Sequence, residues 1–148
     1  MALAHLVLVP AGFIYDWILE FLAEKLPEAY PVDIRVDQRG LQVPPRLYDP
    51  ETSQLRSEDF LRYLWDVDRW SPGERVLAVV DDDAYAKGTN FVFGQAELGG
   101  RFGAVYLARL RPEFYGNGEN RAQFLLRALK EASHELGHLL GLGHCTTP

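Results

Sequence analysis

The sequence predicts an α/β fold, in which helices pack against a mixed, mostly parallel sheet within one compact domain. Apolar runs of strand length alternate with helical repeats along the chain, which favours parallel strands covered by helices. One later connection between two strands is short, which favours an antiparallel pair. The length of 148 residues suits a single domain that can bury a full core. A metal ion would therefore serve chemistry rather than folding.

The amino-terminal part has the order strand, helix, strand. Residues 6–9 form a continuous apolar run that the segment Pro-Ala-Gly ends, as is typical of a strand buried on both faces. A helical repeat follows and is expected to end near Leu26 and Pro27. Its apolar members are Phe13, Ile14, Trp17, Ile18, Phe21 and Leu22. Residues 31–37 alternate apolar and charged side chains, which predicts a strand with one solvent face. This order predicts a right-handed parallel crossover.

The middle of the chain predicts a loop, a second helix and a buried strand. Residues 40–54 are rich in proline and polar side chains and are expected to form the loop. Ser57 is a candidate N-cap for the helix. That helix carries Phe60, Leu61, Leu64 and Trp65. The segment "ERVLAVVDDD", residues 74–83, predicts a strand with an acidic end. The three aspartates suggest a cation site, but no ligand spacing supports one, and an acidic loop is the preferred interpretation.

Two further strands and a long helix are predicted in the last third of the chain. The segments "NFVFG", residues 90–94, and "GAVYLARL", residues 103–110, are joined by the glycine-broken stretch "QAELGGR". The short connection favours an antiparallel pair with one strand at the sheet edge. A turn-rich loop follows, and the last helix is expected to begin around Asn120.

Composition and charge exclude several classes of function. The net charge is −6 with acidic and basic residues interspersed, so the chain lacks the basic stripe that nucleic-acid binding requires. The single cysteine cannot form an internal disulfide, which fits a reducing compartment. The apolar start has no basic residue before it, unlike a signal peptide, and no stretch reaches the ~20 apolar residues of a membrane span. We therefore expect a cytoplasmic protein that binds neither nucleic acid nor membranes.

Three of the four histidines lie near the end of the chain. At 100° per residue the last helix has one apolar stripe, and His134 and His138 share the face opposite it. The stripe comprises Leu125, Leu129, Ala132, Leu136, Leu139 and Leu140. A core histidine held by one hydrogen bond would lie within that stripe. Interpreting His134 as such a core histidine would also leave the second histidine, one turn later, without an explanation.

The spacing of these residues is typical of a metal site. Two imidazoles at i and i+4 can direct their nitrogens to one zinc ion at about 2.0–2.1 Å. Glu135 can reach the open position of that ion without ligating it, where a general base is needed. Gly141 allows the helix to end in a left-handed turn, so that His144 can return to the ion as the third ligand.

The motif "HELGHLLGLGH", residues 134–144, resembles the zinc motif of the metzincins. The cysteine that follows, Cys145, makes the chain similar to the archaemetzincins in particular, and the resemblance is most specific over residues 76–145. It implies a single metzincin-like peptidase domain over residues 1–148, with the active-site helix near the carboxyl end. It also implies an antiparallel edge strand that aligns a peptide by backbone pairing, for which "NFVFG" or its neighbour is the candidate. Phe91 and Phe93 could line that cleft, although the sheet core is their preferred interpretation.

Two features of this family are missing from the sequence. Metzincins place a methionine in a turn downstream of the third histidine, whereas the only methionine here is Met1. Archaemetzincins carry a second, structural zinc on four cysteines, of which Cys145 would be the first and the others are absent. This chain is therefore not expected to complete that site alone. We interpret it as a fragment, a processed product or a member that has lost this segment.

The roles of three further residues stay open. Cys145 is interpreted as a free thiol, as a remnant or in-trans zinc ligand, or as a fourth ligand that keeps the catalytic zinc latent. Tyr106 and Tyr115 are candidate oxyanion stabilisers, and nothing in the sequence selects either.

The sequence therefore predicts a zinc-dependent metallopeptidase that acts on peptides or proteins. His134, His138 and His144 are the predicted zinc ligands, and Glu135 is the predicted general base that activates the zinc water. One alternative is a non-catalytic or latent zinc-binding domain, which the missing methionine turn favours. Glu135 argues against it, since a structural zinc site prefers four protein ligands. A hydrolase of a non-peptide amide is the other alternative.

Overall fold

The computed structural model describes residues 3–142, which form a central sheet with helices on both faces. The elements in chain order are β1 (Ala4–Ala11), α1 (Asp16–Ala29), β2 (Val32–Val36), β3 (Leu55–Arg56), α2 (Ser57–Asp66), β4 (Glu74–Val80), β5 (Ala84–Tyr85), β6 (Gly94–Ala96), β7 (Phe102–Tyr106) and α3 (Arg121–Leu139). Short 3-10 helices lie at Pro45–Leu47, Ala108–Leu110 and Pro112–Tyr115.

The sheet is mixed and mostly parallel. Its strand order is β2-β1-β4-β7-β6, and all neighbours are parallel except β6, which runs antiparallel to β7. The register of that last pair runs from Gly94 opposite Val105 to Ala96 opposite Gly103. Among residues 3–142, β6 has no strand on its outer side within this sheet. The predicted fold class, a mostly parallel sheet with an antiparallel edge strand, is confirmed.

The alternating side chains of the central strands form two apolar cores, one on each face of the sheet. The first core packs α1 and α3 against one face, through buried residues that include Leu6, Leu8, Leu22, Leu77, Val105, Ala132 and Leu136. The second core packs α2 against the other face, through residues that include Val7, Val76, Ala78, Phe102, Phe60 and Leu64. A strand that is buried on both faces has no polar alternation, which is why the chain has continuous apolar runs here. No helix in the described part of the chain is both long and apolar enough to cross a membrane.

Helix α1 ends two residues after Pro27, close to its predicted end near Leu26 and Pro27. Pro27 lies inside the last turn, and the helix ends at Ala29. Leu26 is fully buried, and its carbonyl accepts a hydrogen bond from the Tyr30 backbone N–H. Tertiary packing and this bond maintain the turn although proline donates no hydrogen bond.

The edge strand begins later than the segment "NFVFG" suggested. Only its last residue, Gly94, belongs to β6. Pairing with β7 is continued by the Phe93 carbonyl, which accepts from the Tyr106 N–H, while Val92 pairs instead with Ala84. The apolar side chains of Phe91 and Phe93 contact each other, with ring centroids 5.2 Å apart. Phe91 and Phe93 therefore pack against each other, although neither belongs to strand β6.

The sequence suggested Ser57 as the N-cap of α2, but Ser57 does not cap this helix. It is the first residue of the helix, and Arg56 occupies the N-cap position without a side-chain hydrogen bond to the helix. The Ser57 hydroxyl is buried and lies 2.7 Å from the Tyr106 hydroxyl. A buried hydroxyl needs a partner, and here the partner is on β7 rather than on the helix itself.

Helix α3 begins as predicted, since the Asn120 side chain accepts a hydrogen bond from the Gln123 N–H at 3.0 Å. Its buried face is rotated slightly from the predicted stripe. Phe124 and Ala128 are buried, whereas Leu125 and Leu129 are half-buried. This rotation brings Glu135 into the buried set, beside Leu136 and Leu139.

Candidate active site

The last two turns of α3 bring three polar side chains together. The ring centroids of His134 and His138 are 4.5 Å apart, as expected for residues one turn apart on a helix. One ligand atom from each of His134, Glu135 and His138 lies within 4.8 Å of the others. His134 is exposed, His138 is half-buried and Glu135 is buried. The group therefore has one side open to solvent and a carboxylate at its inner wall.

The helix ends directly after this group in a left-handed turn. Gly141 has a φ of 87°, a conformation that strains other residues. Its N–H donates to the His138 carbonyl and the Leu142 N–H donates to the Gly137 carbonyl, both at 2.9 Å. These two bonds form a Schellman motif. The left-handed turn predicted at Gly141 is confirmed, whereas His144 and Cys145 lie outside the described residues.

Two other elements also hold the end of α3. The Gly99 N–H, in the turn between β6 and β7, donates to the His138 carbonyl at 2.8 Å. The Arg75 side chain, on β4, donates from Nε to the Leu139 carbonyl at 2.9 Å. The last carbonyls of a helix carry partial negative charge, so a guanidinium there is favourable. The position of His138 is thus coupled to both the sheet and the hairpin.

A cleft of about 390 Å³ lies between α3 and the sheet edge. Its lining consists of Gly94, Gln95, Ala96, Leu98, His134, Glu135 and His138. Because Phe93 and Glu97 make backbone bonds to β7, the alternation of an antiparallel ladder turns the backbone of Gly94 and Ala96 toward the open side. The cleft therefore has the three polar side chains on one wall and, on the other, a strand edge that pairs with no further strand among residues 3–142. This cleft is named the metal cleft below.

Glu135 is buried between its own helix and β6. Burial raises the pKa of its carboxyl well above the usual range, and the hydrogen bond that the protonated carboxyl donates to the neighbouring Glu131 raises it further. Gly94 lies directly opposite: a Cβ at this position would be 2.7 Å from Glu135 Oε2 and 2.8 Å from the Ala104 carbonyl oxygen. The close approach of β6 to the two carboxyls therefore requires a residue without a side chain.

The two candidate oxyanion tyrosines do not reach this group. Tyr106 is buried in the second core with its hydroxyl against Ser57, and burial raises the pKa of its phenol. Tyr115 is exposed, and its hydroxyl donates to the Arg109 carbonyl at 2.7 Å. Neither residue lines the metal cleft.

Two of the three aspartates after β4 form ion pairs. Asp83 accepts from Arg109, and Asp81 accepts from Arg111, each with a shortest N–O distance of 2.6 Å. Asp82 accepts a hydrogen bond from the Tyr48 hydroxyl. The three carboxylates point to separate partners, which agrees with the acidic loop that the sequence favoured.

Two residues of the site were not identified from the sequence. Glu131 precedes Glu135 by one helical turn, so the i, i+4 spacing of two acids on the histidine helix was an available signal. Gly94 could not be found in this way, because its role depends on a helix that is distant in sequence.

Known proteins are similar to this chain over most of its length. The crystal structure of the archaemetzincin from Archaeoglobus fulgidus, complexed with malonate, covers 96% of this chain and 82% of that chain, with a TM-score of 0.78 at 32% identity. The archaemetzincin structure from Methanopyrus kandleri has a TM-score of 0.79 at 30% identity and covers 98% of this chain and 77% of that chain. The archaemetzincin of Methanocaldococcus jannaschii is 42% identical over 136 residues, which are 92% of this chain and 72% of that protein.

The model of Peptidase family M54 matches residues 57–148, which include the histidine motif. The chain belongs to peptidase family M54. As a member of the M54 family it is a zinc metallopeptidase, and the resemblance to archaemetzincins that its motif suggested is confirmed. Peptides or proteins are accordingly the substrate class of this M54 peptidase.

Proposed function

We propose that this chain hydrolyses peptide bonds with one zinc ion held by His134, His138 and His144, and with Glu135 as the general base. One observation carries the proposal: donor atoms of His134, Glu135 and His138 lie within 4.8 Å of one another, in a cleft beside the edge strand β6. His144 enters from the sequence motif alone.

The donor set suits zinc. Imidazole nitrogens are common zinc ligands, and three of them leave a position open, as in catalytic rather than structural sites. When bound, zinc acts as a Lewis acid that makes water more acidic and stabilises developing negative charge. The exposed side of His134 leaves room for water and substrate to approach.

Glu135 supplies the proton transfers. Its carboxylate takes a proton from the attacking water onto Oε and then passes it to the nitrogen of the leaving amine. The Glu135 carboxyl lies beside the donor atoms of His134 and His138 on the inner wall of the cleft, within reach of both proton transfers. On the opposite wall, the outward backbone groups of Gly94 and Ala96 can pair with an extended peptide and hold it across the cleft.

Replacing Glu135 with alanine tests the proposal. The Glu135→Ala variant is expected to lose at least ~10²-fold in kcat/KM, because general acid–base catalysis typically contributes about 10²–10⁴-fold. Its zinc content is expected to stay near one per chain, since the proposed ligands are unchanged. Hydrolysis of a peptide library with added zinc and metal analysis of the same samples measure both quantities.

Two control variants separate catalysis from metal binding. His134→Ala is expected to lose zinc as well as activity, while Glu24→Gln, which changes an exposed acid on α1, is expected to match the parent protein. Full activity in Glu135→Ala would refute its role as the base. If the parent protein itself binds zinc but shows no zinc-dependent cleavage of any peptide, the non-catalytic or latent zinc-binding domain is favoured instead.

A further inference from the structure

A second cleft lies beside the metal cleft along α3. It has a volume of about 360 Å³ and is named the basic cleft below. Its lining consists of Phe93, Arg109, Leu110, Tyr115, Arg127, Lys130 and Glu131. Three of these seven residues are lysine or arginine, whereas neither residue type lines the metal cleft.

The two clefts form consecutive parts of one groove. Along α3, Lys130 and Glu131 precede His134 by about one turn. Along the sheet edge, Phe93 immediately precedes Gly94, which lines the metal cleft. The two clefts meet where a Cβ at Gly94 would lie 2.9 Å from Glu131 Oε1 and 2.7 Å from Glu135 Oε2. An extended chain that crosses the metal cleft beside β6 therefore continues into the basic cleft.

Arg109 is already neutralised and forms a fixed wall of the basic cleft. Its guanidinium makes a bidentate pair with Asp83, with distances of 2.6 and 3.0 Å. It also lies over the rings of Phe91 and Phe114, at 4.2 and 4.8 Å from their centroids. Glu131, the acid in the lining, points toward Glu135 and Gly94 at the boundary with the metal cleft.

The other two cations, Arg127 and Lys130, have no carboxylate partner among the residues that the structure describes. The Arg127 guanidinium donates to the Leu110 carbonyl, a neutral acceptor, at 3.3 Å. Lys130 is exposed, and among residues 3–142 no carboxylate lies within 4 Å of either side-chain cation. Both cations line the same cleft. A carboxylate entering the cleft would provide the missing counter-charge for both.

We infer that the basic cleft is a specificity subsite in which Lys130 and Arg127 bind a carboxylate of the peptide substrate. The inference rests on the proposed peptidase function. A peptide that pairs antiparallel to β6 runs from the Ala96 end toward the Phe93 end. The bound carboxylate is therefore on the carboxyl-terminal side of the scissile bond. It belongs either to an acidic side chain there or to the free carboxyl terminus of a short peptide.

Matched peptide pairs test the subsite. The zinc-loaded protein is given fluorogenic peptides that carry either Glu or Gln at successive positions after the scissile bond, each with a free or an amidated carboxyl terminus. We expect kcat/KM to be higher for the acidic member of a pair by up to about fivefold, which is the upper limit for one exposed ion pair. A preference for Glu in amidated peptides identifies a side chain as the ligand, and a preference for the free terminus identifies the terminal carboxylate.

Charge variants assign the preference to these residues. Lys130→Glu is expected to remove or reverse the preference, and Arg127→Gln to reduce it. Arg121→Gln is the matched control, because Arg121 lies on the same helix but stacks on Trp17 outside the cleft. The control is expected to keep the preference of the parent protein.

Binding separates this inference from the peptidase function itself. The same peptides, labelled with a single dye, are titrated into the zinc-loaded Glu135→Ala variant and followed by fluorescence anisotropy, with and without Lys130→Glu. A carboxylate preference in binding that Lys130→Glu abolishes supports the subsite even if no peptide is cleaved. Equal affinity or equal hydrolysis for both members of every pair, or a preference that Lys130→Glu leaves unchanged, overturns it.

Discussion

Gly94 determines how closely the sheet edge approaches the helix that carries the histidines. The three nearest atoms to a Cβ at this position would be Glu135 Oε2, the Ala104 carbonyl oxygen and Glu131 Oε1, at 2.7, 2.8 and 2.9 Å. The carbonyl oxygen belongs to the paired strand and cannot move without breaking the ladder. A side chain at residue 94 would therefore push against the two carboxyls.

Replacing Gly94 with alanine is expected to affect both stability and catalysis. Overpacking of this kind costs about 1–3 kcal/mol, and displacement of Glu135 is expected to lower kcat without loss of zinc. Urea denaturation, steady-state kinetics and metal analysis of Gly94→Ala measure these effects.

Gly118→Ala is the matched control for this change. A Cβ at Gly118 would have no atom within 4 Å, and this glycine does not have a positive φ. The control is expected to be as stable and active as the parent protein. If Gly94→Ala behaves in the same way, the steric argument at the sheet edge is wrong.

The sequence predicted those site residues that lie close to one another along the chain. His134, Glu135 and His138 share one helix, so their spacing alone predicted that they meet. Gly94 contacts the same group from a strand about forty residues earlier, and spacing along the chain carries no information about that approach. The same lack of information explains why Tyr106 was a candidate for the site. Only the packing of α2 against β7 shows that its hydroxyl contacts Ser57 instead.

Helix α3 is the element on which the site depends, and its carboxyl end is held from three directions. The Gly141 turn closes the helix itself, Gly99 holds it from the β6–β7 hairpin, and Arg75 holds it from β4. These bonds fix the last helical turn, which carries His138.

Removing the Arg75 contact is expected to loosen that turn. Arg75→Met keeps most of the apolar stem but removes the charged donor to the Leu139 carbonyl, which is expected to cost about 1 kcal/mol. Faster amide hydrogen exchange in the last turn of α3 and weaker zinc binding in a chelator competition measure the effect.

Arg62→Met provides the comparison on another helix. Arg62 is exposed on α2 and makes no hydrogen bond or ion pair among the described residues. If Arg62→Met changes amide exchange in the last turn of α3 as much as Arg75→Met does, the Arg75 bond does not hold the helix end.

Elements with strong periodicity were predicted well, and short ones were not. The buried strands and α3 follow from apolar runs and a helical repeat that extend over many residues. β6 has only three residues, and its ladder is defined by contacts with β7 rather than by its own composition. The paired segments β3 and β5 are shorter still, with two residues each, and no local pattern indicated them.

For the whole molecule, a long-range ion pair connects the edge of the sheet opposite the cleft to its centre. Arg35 on β2 donates to both carboxylate oxygens of Glu74 on β4, at 3.1 and 3.0 Å, across the intervening strand β1. Hydrogen bonding to Arg35 lowers the pKa of Glu74 despite the opposing effect of burial. Alternating strands and helices predicted the arrangement of these layers, but not which charges would pair across them.

This pair predicts a pH-dependent contribution to stability. Because the pKa of Glu74 is lower in the folded than in the unfolded protein, its contribution is present above the unfolded value of about 4.3 and is lost as the pH falls through the folded value. Glu74→Gln is therefore expected to be less stable than the parent protein by about 1 kcal/mol near pH 7, with a smaller difference in acid. Urea denaturation across this pH range measures it.

Glu20→Gln, a change at an exposed acid on α1, serves as the reference in the same series. Its difference from the parent protein is expected to be small at every pH. A Glu74→Gln difference that stays constant with pH would contradict the assignment of this contribution to the ionised carboxylate.

The bond between Gly99 and the His138 carbonyl has a consequence for how this fold can vary. Exposed hairpin turns generally tolerate added residues, epitope tags and natural length variation. The turn at residues 97–100 is an exception, because any residue added there would move the donor that holds the last helical turn. Related chains are therefore expected to keep this turn at constant length, and to vary instead in the exposed loop at residues 116–119.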